Sequence, residues 1–527
     1  MKSIILFFII SINLIYAQHG TSPEWGNAVP IPKVNINSKQ RGVLYNNIVT
    51  TSGGRIIVST SEHNPSNLNQ VYGYYLTYSD DKGQTWLNPP VRFTPIEMVT
   101  GGSSLKLSID WNDNVYALWN SGNPSALFIS RLDTNLNVIV DSVRVATKIN
   151  YPINSTNITV DRYNRIHVMW NEGQTNSTNA AEVYYSRSTD NGNTWQSAQM
   201  LSVNDGNHSA FPHAQFDVAG DTLAIPWRDS VGGTNKWDVY LSVSTNGGAT
   251  WSSSPIAVLT SNDSEWDPDL IIDPFNRLHL FYTVYPSSNP FNGARNYHKY
   301  SDDAGATWHF PNNPSNGMIS DNYRSQLLEG TRYDIVNNVL YTTWKDERDF
   351  DFSTGEVHGD IMLNYSTDRG LTWSQPEFVT DLYDTTVAFK AGALLPTGEF
   401  CINYEILYPE DINLPTAFLS VYVKVRNPIV TEVSDKTGSV DNFTLLQNFP
   451  NPFNSQTKVI WQVPEASWQS IKVYDLLGKV VASLVDEYKE AGRKEIIFDA
   501  ADLTSGIYFL KLVAGEYTFT KKMILNK

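Results

Sequence analysis

One turn is repeated five times along the chain, and this repetition limits the fold more than any other feature. The turn has the pattern Ser-x-Asp-x-Gly-x-Thr-Trp, with Asn in place of Asp in one copy. The five copies begin at Ser79, Ser188, Ser244, Ser301 and Ser366. Asp and Ser side chains accept hydrogen bonds from turn amides, Gly permits a positive φ, and Trp buries a large ring. The turn is therefore predicted to build the fold and not to carry chemistry.

A second repeated segment precedes each turn. It consists of a strand, a tight turn of Asp, Asn or Gly, and an alternating apolar strand that ends in an aromatic residue, as in ITVDRYNRIHVMW (158–170). The aspartates at its tight turns are Asp110, Asp161, Asp217, Asp273 and Asp334. They are 51, 56, 56 and 61 residues apart, a period that suits one four-stranded blade of a β-propeller. Weaker copies at 46–59 and 391–403 raise the count to seven.

These repeats predict an all-β chain whose main domain, residues 24–426, is a seven-bladed β-propeller. Six blades are the alternative, if the first or the last repeat is a cap. The seventh repeat lacks a final strand, and PEWGNAVPI (23–31) resembles the segment that follows each turn. The N-terminal strand is therefore expected to complete the last blade, which leaves no sheet edge open.

The ends and the composition of the chain limit its location and its partners. Residues 1–17 combine a lysine with a short apolar run that ends at Ala17, and they are predicted to be a removed export signal. Later apolar runs are too short to span a membrane, so no transmembrane segment is expected. The net charge of −16 argues against nucleic acid as a partner. The single cysteine, Cys401, excludes an intrachain disulfide.

The repeated turn resembles the Asp box, or BNR repeat, of sialidase-like β-propellers. In that family the boxes lie between the third and fourth strands of a blade, on the face away from the ligand pocket. The resemblance therefore implies that any chemistry belongs to the opposite face, where the loops after the second strands converge. The candidate catalytic acids in those loops are Glu172, Asp229 and Asp346, and the candidate substrate-binding arginines are Arg228, Arg324 and Arg348. Paired acids can exchange protons and arginines can grip carboxylates, but the same residues can equally form solvated ion pairs.

Two functions remain open at this point. A sialidase is expected to carry an Arg-Ile-Pro motif in its first blade and a Tyr–Glu nucleophile pair, whereas Leu44 stands at the motif position and no Tyr–Glu pair is identified. The first hypothesis is a propeller that binds glycans or surface proteins without catalysis. The second is a glycoside hydrolase of the exo-sialidase type. No cofactor and no metal site are predicted, because the acidic turns lack the distal Glu of a calcium loop.

The last part of the chain differs in character from the rest. Beyond a polar linker at 427–442, short alternating strands in residues 443–527 predict a small immunoglobulin-like β-sandwich. The motifs NFPNPFN, VYD, GK, GIY and KKM, in this order from Asn448 to Met523, closely resemble the C-terminal sorting domain of the type IX secretion system of Bacteroidetes and their relatives. That resemblance implies export by the Sec pathway, the type IX machinery as a partner, and release from the cell or attachment to its surface.

Overall fold

The computed structural model of the protein describes most of the chain, and the secondary structure of the described residues consists of β-strands without helices. The described residues are 21–35, 37–42, 47–93, 105–122, 125–147, 153–173, 180–212, 221–230, 236–287, 293–311, 317–320, 325–335, 337–348, 359–381, 386–407, 420–429, 444–445, 448, 451, 453–476, 478–515 and 517–525. The predicted export signal, most of the predicted linker and the candidate arginine Arg324 lie outside these residues.

Up to residue 426 the strands of the described residues form seven antiparallel sheets, numbered here in chain order. The first strand is β1 (Val29–Pro30). Sheet 1 contains β2 (Lys39–Gly42), β3 (Ile48–Thr50), β4 (Ile56–Asn64), β5 (Asn67–Ser79) and β6 (Val91–Phe93). Sheet 2 contains β7 (Lys106–Ile109), β8 (Val115–Gly122), β9 (Ser125–Leu132) and β10 (Val138–Thr147). Sheet 3 contains β11 (Ile153–Val160), β12 (Ile166–Glu172), β13 (Glu182–Ser188) and β14 (Gln199–Met200).

The remaining four of these sheets follow the same order. Sheet 4 contains β15 (Ser209–Ala210), β16 (Leu223–Ser230), β17 (Trp237–Ser244) and β18 (Ile256–Leu259). Sheet 5 contains β19 (Ser264–Ile272), β20 (Leu278–Tyr285) and β21 (Arg295–Ser301). Sheet 6 contains β22 (Ser325–Asp334), β23 (Val339–Asp346), β24 (Asp360–Ser366) and β25 (Glu377–Phe378). Sheet 7 contains β26 (Thr386–Leu394), β27 (Phe400–Leu407), β28 (Ser420–Arg426) and, at its edge, β1.

The seven sheets form a closed ring, because each contacts the next in chain order and sheet 7 contacts sheet 1. A closed ring of antiparallel sheets is the arrangement of a β-propeller. The N-terminal strand takes part in the closure: β1 pairs with β28, with Val29 opposite Val423. Just before β1, Trp25 packs edge-on against Phe400, with ring centroids 6.3 Å apart. This pairing confirms the closure predicted from the N-terminal segment.

The core of the ring is divided among the seams between neighbouring sheets. Seven clusters of buried apolar residues each join two adjacent sheets. The aromatic residue that ends the second repeated segment contributes a large ring to several of these clusters. Four such tryptophans are at most 1% exposed: Trp119, Trp170, Trp227 and Trp344. The repeated aromatic is therefore explained by packing between the sheets.

Each Asp box forms the same small network at the end of a third strand. In the first copy the Ser79 hydroxyl donates to Asp81 and accepts from the Gly83 amide, both at 2.8 Å. Both the amide and the hydroxyl of Thr85 donate to the Asp81 carboxylate, at 2.8 and 2.6 Å. The hydrogen bond from the Thr85 hydroxyl, together with the other bonds, lowers the pKa of Asp81 to about 2. The other boxes repeat the pattern, so the predicted structural role of the turn is confirmed.

The strand register shows which face of the ring is opposite the boxes. In sheet 3, Ile166 at the start of β12 pairs with Ser188, the first residue of a box. At the other end of the same strand, Glu172 pairs with Glu182. The ends of the second strands therefore lie on the face away from the boxes, which is called the opposite face below.

The last seven strands form two sheets around a common core. They are β29 (Thr444–Leu445), β30 (Gln456–Val463), β31 (Ser467–Tyr474), β32 (Val480–Lys489), β33 (Gly492–Asp499), β34 (Gly506–Ala514) and β35 (Tyr517–Leu525). One sheet has the order β29-β30-β33 and the other β32-β31-β34-β35. Trp461, Phe498 and Leu510 from the two sheets belong to one buried cluster. The comparison with an immunoglobulin-like sandwich stays a prediction.

Candidate functional site

The three candidate acids lie at the ends of second strands on the opposite face, in three different sheets. Glu172 ends β12 in sheet 3, Asp229 is near the end of β16 in sheet 4, and Asp346 ends β23 in sheet 6. Glu172 and Asp346 are 3% and 1% exposed, whereas Asp229 is partly exposed. Asp229 is therefore the one of the three that solvent and a ligand reach most easily.

Asp346 and Arg348 bind each other. The Nε and Nη2 atoms of Arg348 donate to the two carboxylate oxygens of Asp346, at 2.8 and 2.9 Å. The guanidinium also lies over the ring of Phe378, 4.8 Å from its centroid. A two-point contact of this kind uses the same fork that would grip a substrate carboxylate. The pair stabilises the end of β23 within sheet 6.

Arg228 is buried among aromatic rings. Its guanidinium carbon lies 4.0 Å from the ring centroid of Phe211, 4.6 Å from that of Trp237 and 4.1 Å from that of Trp266. Its Nη1 atom is 3.9 Å from Oδ1 of Asp267. Cations over the faces of aromatic rings are stabilised by the ring quadrupole, and the stacked guanidinium also holds the rings in place. Arg228 therefore joins the aromatic residues of sheets 4 and 5.

Two of the residues around Arg228 have an unusual backbone conformation. Phe211 and Asp267 have φ values of 56° and 50°, in the left-handed region that non-glycine residues rarely adopt. Asp267 lies within a register shift between Trp266 and Asp269, where the first strand of sheet 5 bulges. Bulges redirect side chains and are frequent near functional sites. Phe211, just after the first strand of sheet 4, and Asp267, in the first strand of sheet 5, thus both contact Arg228.

A pocket of about 420 Å³ opens beside this aromatic group on the opposite face. It is lined by the rings of Trp266 and Tyr285 and by the polar side chains of Lys236, Asn262, Asp263, Ser264 and Ser287. Trp266 meets Tyr285 edge to face, with ring centroids 5.5 Å apart, and meets Trp237 in the same way at 6.0 Å. An aromatic wall with a few placed polar groups is the usual composition of a small-ligand site.

Hydrogen bonds hold the pocket wall in place. The Ser264 hydroxyl oxygen accepts from Nε1 of Trp266 at 2.8 Å and from the amide of Trp237 at 3.0 Å. The Asp263 carboxylate accepts from the amide of Ser287 at 2.8 Å. These bonds connect the start of β17 with the start of β19 and the end of β20, which lie side by side. The Trp266 ring is therefore held in place before a ligand arrives.

Three carboxyls near the pocket and in the neighbouring seam have raised pKa values. Burial, supported by the charge of Asp238, raises the pKa of Glu265 to about 7. Burial also raises the pKa of Asp229 to about 6 and that of Glu182 to about 7, and Asp205 adds repulsion to both. Carboxyls that keep a proton near neutral pH are candidates for general acids.

Each of these carboxyls accepts a hydrogen bond from one serine hydroxyl. Ser209 donates to Asp229 and Ser202 to Glu182, both at 2.5 Å, and Ser261 donates to Glu265. A hydroxyl that donates to the charged form opposes the rise in pKa, but burial remains the larger effect. The carboxyl proton therefore stays available near neutral pH.

The sequence reasoning identified Arg228, Asp229 and the loop that contains Tyr285, but it did not identify Trp237, Trp266 or Glu182 as site residues. A signal was present: Trp237 and Trp266 each precede an aspartate at the start of a strand, outside both the box and the repeated aromatic position. Among the described residues, no group of three or more His, Cys, Asp or Glu is placed to hold a metal ion. Within the same residues, no helix is long and apolar enough to cross a membrane.

Two protein families match parts of the chain. Residues 223–331 match the BNR repeat-like domain, and residues 447–526 match the secretion system C-terminal sorting domain. Both resemblances that the motifs indicated are therefore confirmed, and the BNR match includes every residue that lines the pocket. The sorting domain implies type IX secretion and attachment to the cell surface. No curated protein matches the chain in sequence.

Several solved structures resemble the chain in outline at low sequence identity. An ulvan lyase of polysaccharide lyase family PL25 is 13% identical, with a TM-score of 0.46 over 73% of this chain and 95% of the lyase. A protein of unknown function from Dyadobacter fermentans is 12% identical, with a TM-score of 0.44 over 77% of this chain and 100% of that one. An α-L-arabinanase from Penicillium chrysogenum is 13% identical, with a TM-score of 0.38 over 60% and 92%.

Proposed function

We propose that this chain, which combines a BNR repeat-like domain with a type IX sorting domain, is a cell-surface protein that binds extracellular glycans. The observation that supports the proposal is the pocket between sheets 4 and 5, with Trp266 and Tyr285 in its wall and a volume of about 420 Å³. Sugar rings have apolar C–H faces that pack on aromatic rings and hydroxyls that need fixed hydrogen-bond partners. The wall offers both kinds of contact.

A glycan suits this site better than a folded protein. Specific interfaces between proteins bury about 1,000 Å² or more, usually over a nearly flat surface. The wall around Trp266 is concave and small, and a hydrogen bond from Nε1 to Ser264 holds the Trp266 ring in place. A surface protein without sugars remains an outcome that the experiment below distinguishes.

In this proposal the seven sheets are the blades of a seven-bladed propeller that spans residues 24–426. A linker at 427–442 connects it to an immunoglobulin-like sorting domain at 443–527, and residues 1–17 direct export. The boxes stabilise the seams of the ring, and the ligand binds on the face away from them.

The test is a glycan array probed with the full secreted chain, followed by calorimetry on the strongest ligand. Trp266→Ala and Tyr285→Ala should each weaken binding by about tenfold or more, as for central aromatic residues of binding sites. The matched controls are Trp468→Ala in the sorting domain and Tyr163→Ala on the box face, whose side chains are 59% and 49% exposed. The proposal fails if no glycan binds, or if the pocket variants and the control variants change the binding affinity equally.

Glycoside hydrolysis is the second candidate function, favoured by the raised pKa of Asp229, about 6, and of Glu265, about 7. A general acid for glycoside cleavage needs a proton near neutral pH. This candidate keeps the acids and arginines predicted from the sequence: Glu172, Asp229, Asp346, Arg228, Arg324 and Arg348.

Hydrolysis is tested with a panel of aryl glycosides, sialosides included. Turnover that disappears in the triple variant Glu172→Gln/Asp229→Asn/Asp346→Asn supports a hydrolase. If Glu265→Gln alone removes the turnover, the acid belongs to the aromatic pocket. If no substrate is cleaved by the folded protein, only the binding function remains.

A further inference from the structure

Two cations beside the pocket, Lys236 and Arg228, each face a carboxylate of the protein. The Lys236 ammonium lies 2.8 Å from Oδ1 of Asp238. Arg228 is 6% exposed, stacks on Trp266, and has its Nη1 atom 3.9 Å from Oδ1 of Asp267. The positive charges are therefore largely balanced within the protein before a ligand binds.

Asp263 adds a negative charge to the pocket wall. Glu265, between two lining residues in β19, is only partly charged near neutral pH, because burial raises its pKa to about 7. The segments next to the pocket residues in the sequence, 231–235 and 288–292, contain no charged side chain. The chain as a whole carries a net charge of −16. Because Asp238 and Asp267 balance Lys236 and Arg228, the charge of Asp263 makes the electrostatic potential at the pocket wall negative.

We infer that the pocket accepts an uncharged glycan and disfavours glycans that carry carboxylate or sulfate groups. The inference rests on the proposed binding function and names its ligand class. A neutral sugar donates hydroxyl hydrogen bonds to Asp263 and packs its C–H faces on Trp266 and Tyr285. An anionic sugar loses roughly threefold to tenfold in affinity for each like charge held within a few ångströms.

This ligand class differs from the one that an arginine clamp implies. A clamp on a substrate carboxylate needs guanidinium groups whose forks face the ligand. Arg348 donates both arms of its fork to Asp346, and Arg228 lies behind the rings of Trp266 and Trp237. In this inference Arg228 positions the aromatic wall, and the wall contacts the sugar.

The first test uses a glycan array with neutral, carboxylated and sulfated oligosaccharides, probed with the full secreted chain and with its Trp266→Ala variant. We expect every signal that the variant removes to belong to a neutral glycan. If the removed signals come mainly from carboxylated or sulfated glycans, the inference is overturned and the binding function stands. If the variant removes no signal, both the inference and the proposed binding function are overturned.

The second test compares the strongest neutral ligand with a carboxylated derivative of the same oligosaccharide. By calorimetry the derivative should bind roughly threefold to tenfold more weakly than the neutral ligand at about 0.05 M NaCl. This difference in affinity between the two ligands, called the gap, should narrow at about 0.5 M NaCl, because salt screens the repulsion. Asp263→Asn should narrow the gap at low salt, because it removes one charge and keeps an oxygen that accepts from the Ser287 amide.

The matched control is Asp221→Asn. Its carboxylate is 51% exposed, pairs with Arg165 and belongs to the box face. This variant changes the net charge of the protein equally but should leave the gap as it is in the wild type. Tighter binding of the carboxylated derivative at low salt, or equal effects of the two variants, would overturn the inference.

Discussion

Nε2 of His298 lies 3.1 Å from Nδ1 of His279, in a pair of stacked imidazoles that is closed to solvent. In sheet 3 the corresponding relationship joins Nδ1 of His167 to the hydroxyl of Tyr185, at 2.7 Å. The places correspond because His279 and His167 each follow the turn aspartate of their sheet by 6 residues and contact it. Sheets 3 and 5 thus share an aspartate–histidine contact, and the histidine also meets a third residue, which is Tyr185 in sheet 3 and His298 in sheet 5.

The first prediction concerns acid stability. Burial lowers the pKa of both His279 and His298. A histidine whose folded pKa lies below its unfolded value, about 6.5, contributes stability above that pH, and the contribution is lost as the pH falls below it. The melting temperature of His298→Tyr should therefore fall less between about pH 7 and about pH 5 than that of the wild type.

The reciprocal variant Tyr185→His is the control, because it places a second buried imidazole in sheet 3. In this variant the melting temperature should fall more steeply as the pH is lowered than in the wild type. Melting curves over the same pH range measure all three proteins, and equal slopes would show that the imidazole pair does not set the acid response.

The second prediction concerns Glu265, whose pKa burial raises to about 7. A carboxyl with a raised folded pKa contributes stability below its unfolded pKa, about 4.5, that is lost as the pH rises through about 7. Glu265→Gln should raise the free energy of unfolding by roughly 2–3 kcal/mol at about pH 8 and leave it nearly unchanged at about pH 4. Denaturant unfolding at both values checks this, with Glu495→Gln, 52% exposed, as the control. A gain at both pH values would contradict the ionisation argument.

The third prediction concerns the contact between a box and the preceding sheet. A Cβ atom on Gly248, whose φ is +76°, would lie 1.9 Å from the Tyr185 hydroxyl. Gly248→Ala should cost about 1–3 kcal/mol beyond the cost of Gly206→Ala, where φ is +88° and no atom lies within 4 Å. Thermal unfolding measures the difference. In a Tyr185→Phe background the extra cost should shrink, and an unchanged cost would place the strain elsewhere.

The fourth prediction concerns the closure of the ring. Trp25 is 7% exposed and packs against Phe400 of sheet 7. Trp25→Ala should reduce the free energy of unfolding by about 3–5 kcal/mol, because it removes a large buried ring at the seam. Trp468→Ala, 59% exposed, should change it by less than about 0.5 kcal/mol. Similar values for the two variants would show that the N-terminal segment does not stabilise the ring.

Much of the ring could be predicted from the sequence because its interactions are local and repeated. The box needs only a Ser, an Asp or Asn, a Gly and a Thr within seven residues of one chain, as at Ser79–Thr85, and the hydrogen bonds among these four residues form inside the turn. The closing strand could also be predicted, because PEWGNAVPI resembles the segments that occupy the same place in other sheets.

The site could be predicted only in part. Strand ends locate Asp229 and Asp346 on the opposite face, but the sequence does not show that Arg348 binds Asp346 with both arms of its fork. Nor does it show that Arg228 stacks on Trp237 and Trp266, because those rings come from different sheets. Such contacts depend on the angle and spacing of neighbouring sheets.

The sequence by itself determined the all-β class, the Asp boxes, the role of the N-terminal strand and the identity of the sorting domain, because each depends on residues close together in the chain. The tertiary structure decided which side chains form the candidate site. Trp266 and Lys236 meet at one pocket because sheets 4 and 5 pack side by side. The pKa of Glu265 rises because that packing removes water from its carboxyl, and burial of this kind depends on the whole seam.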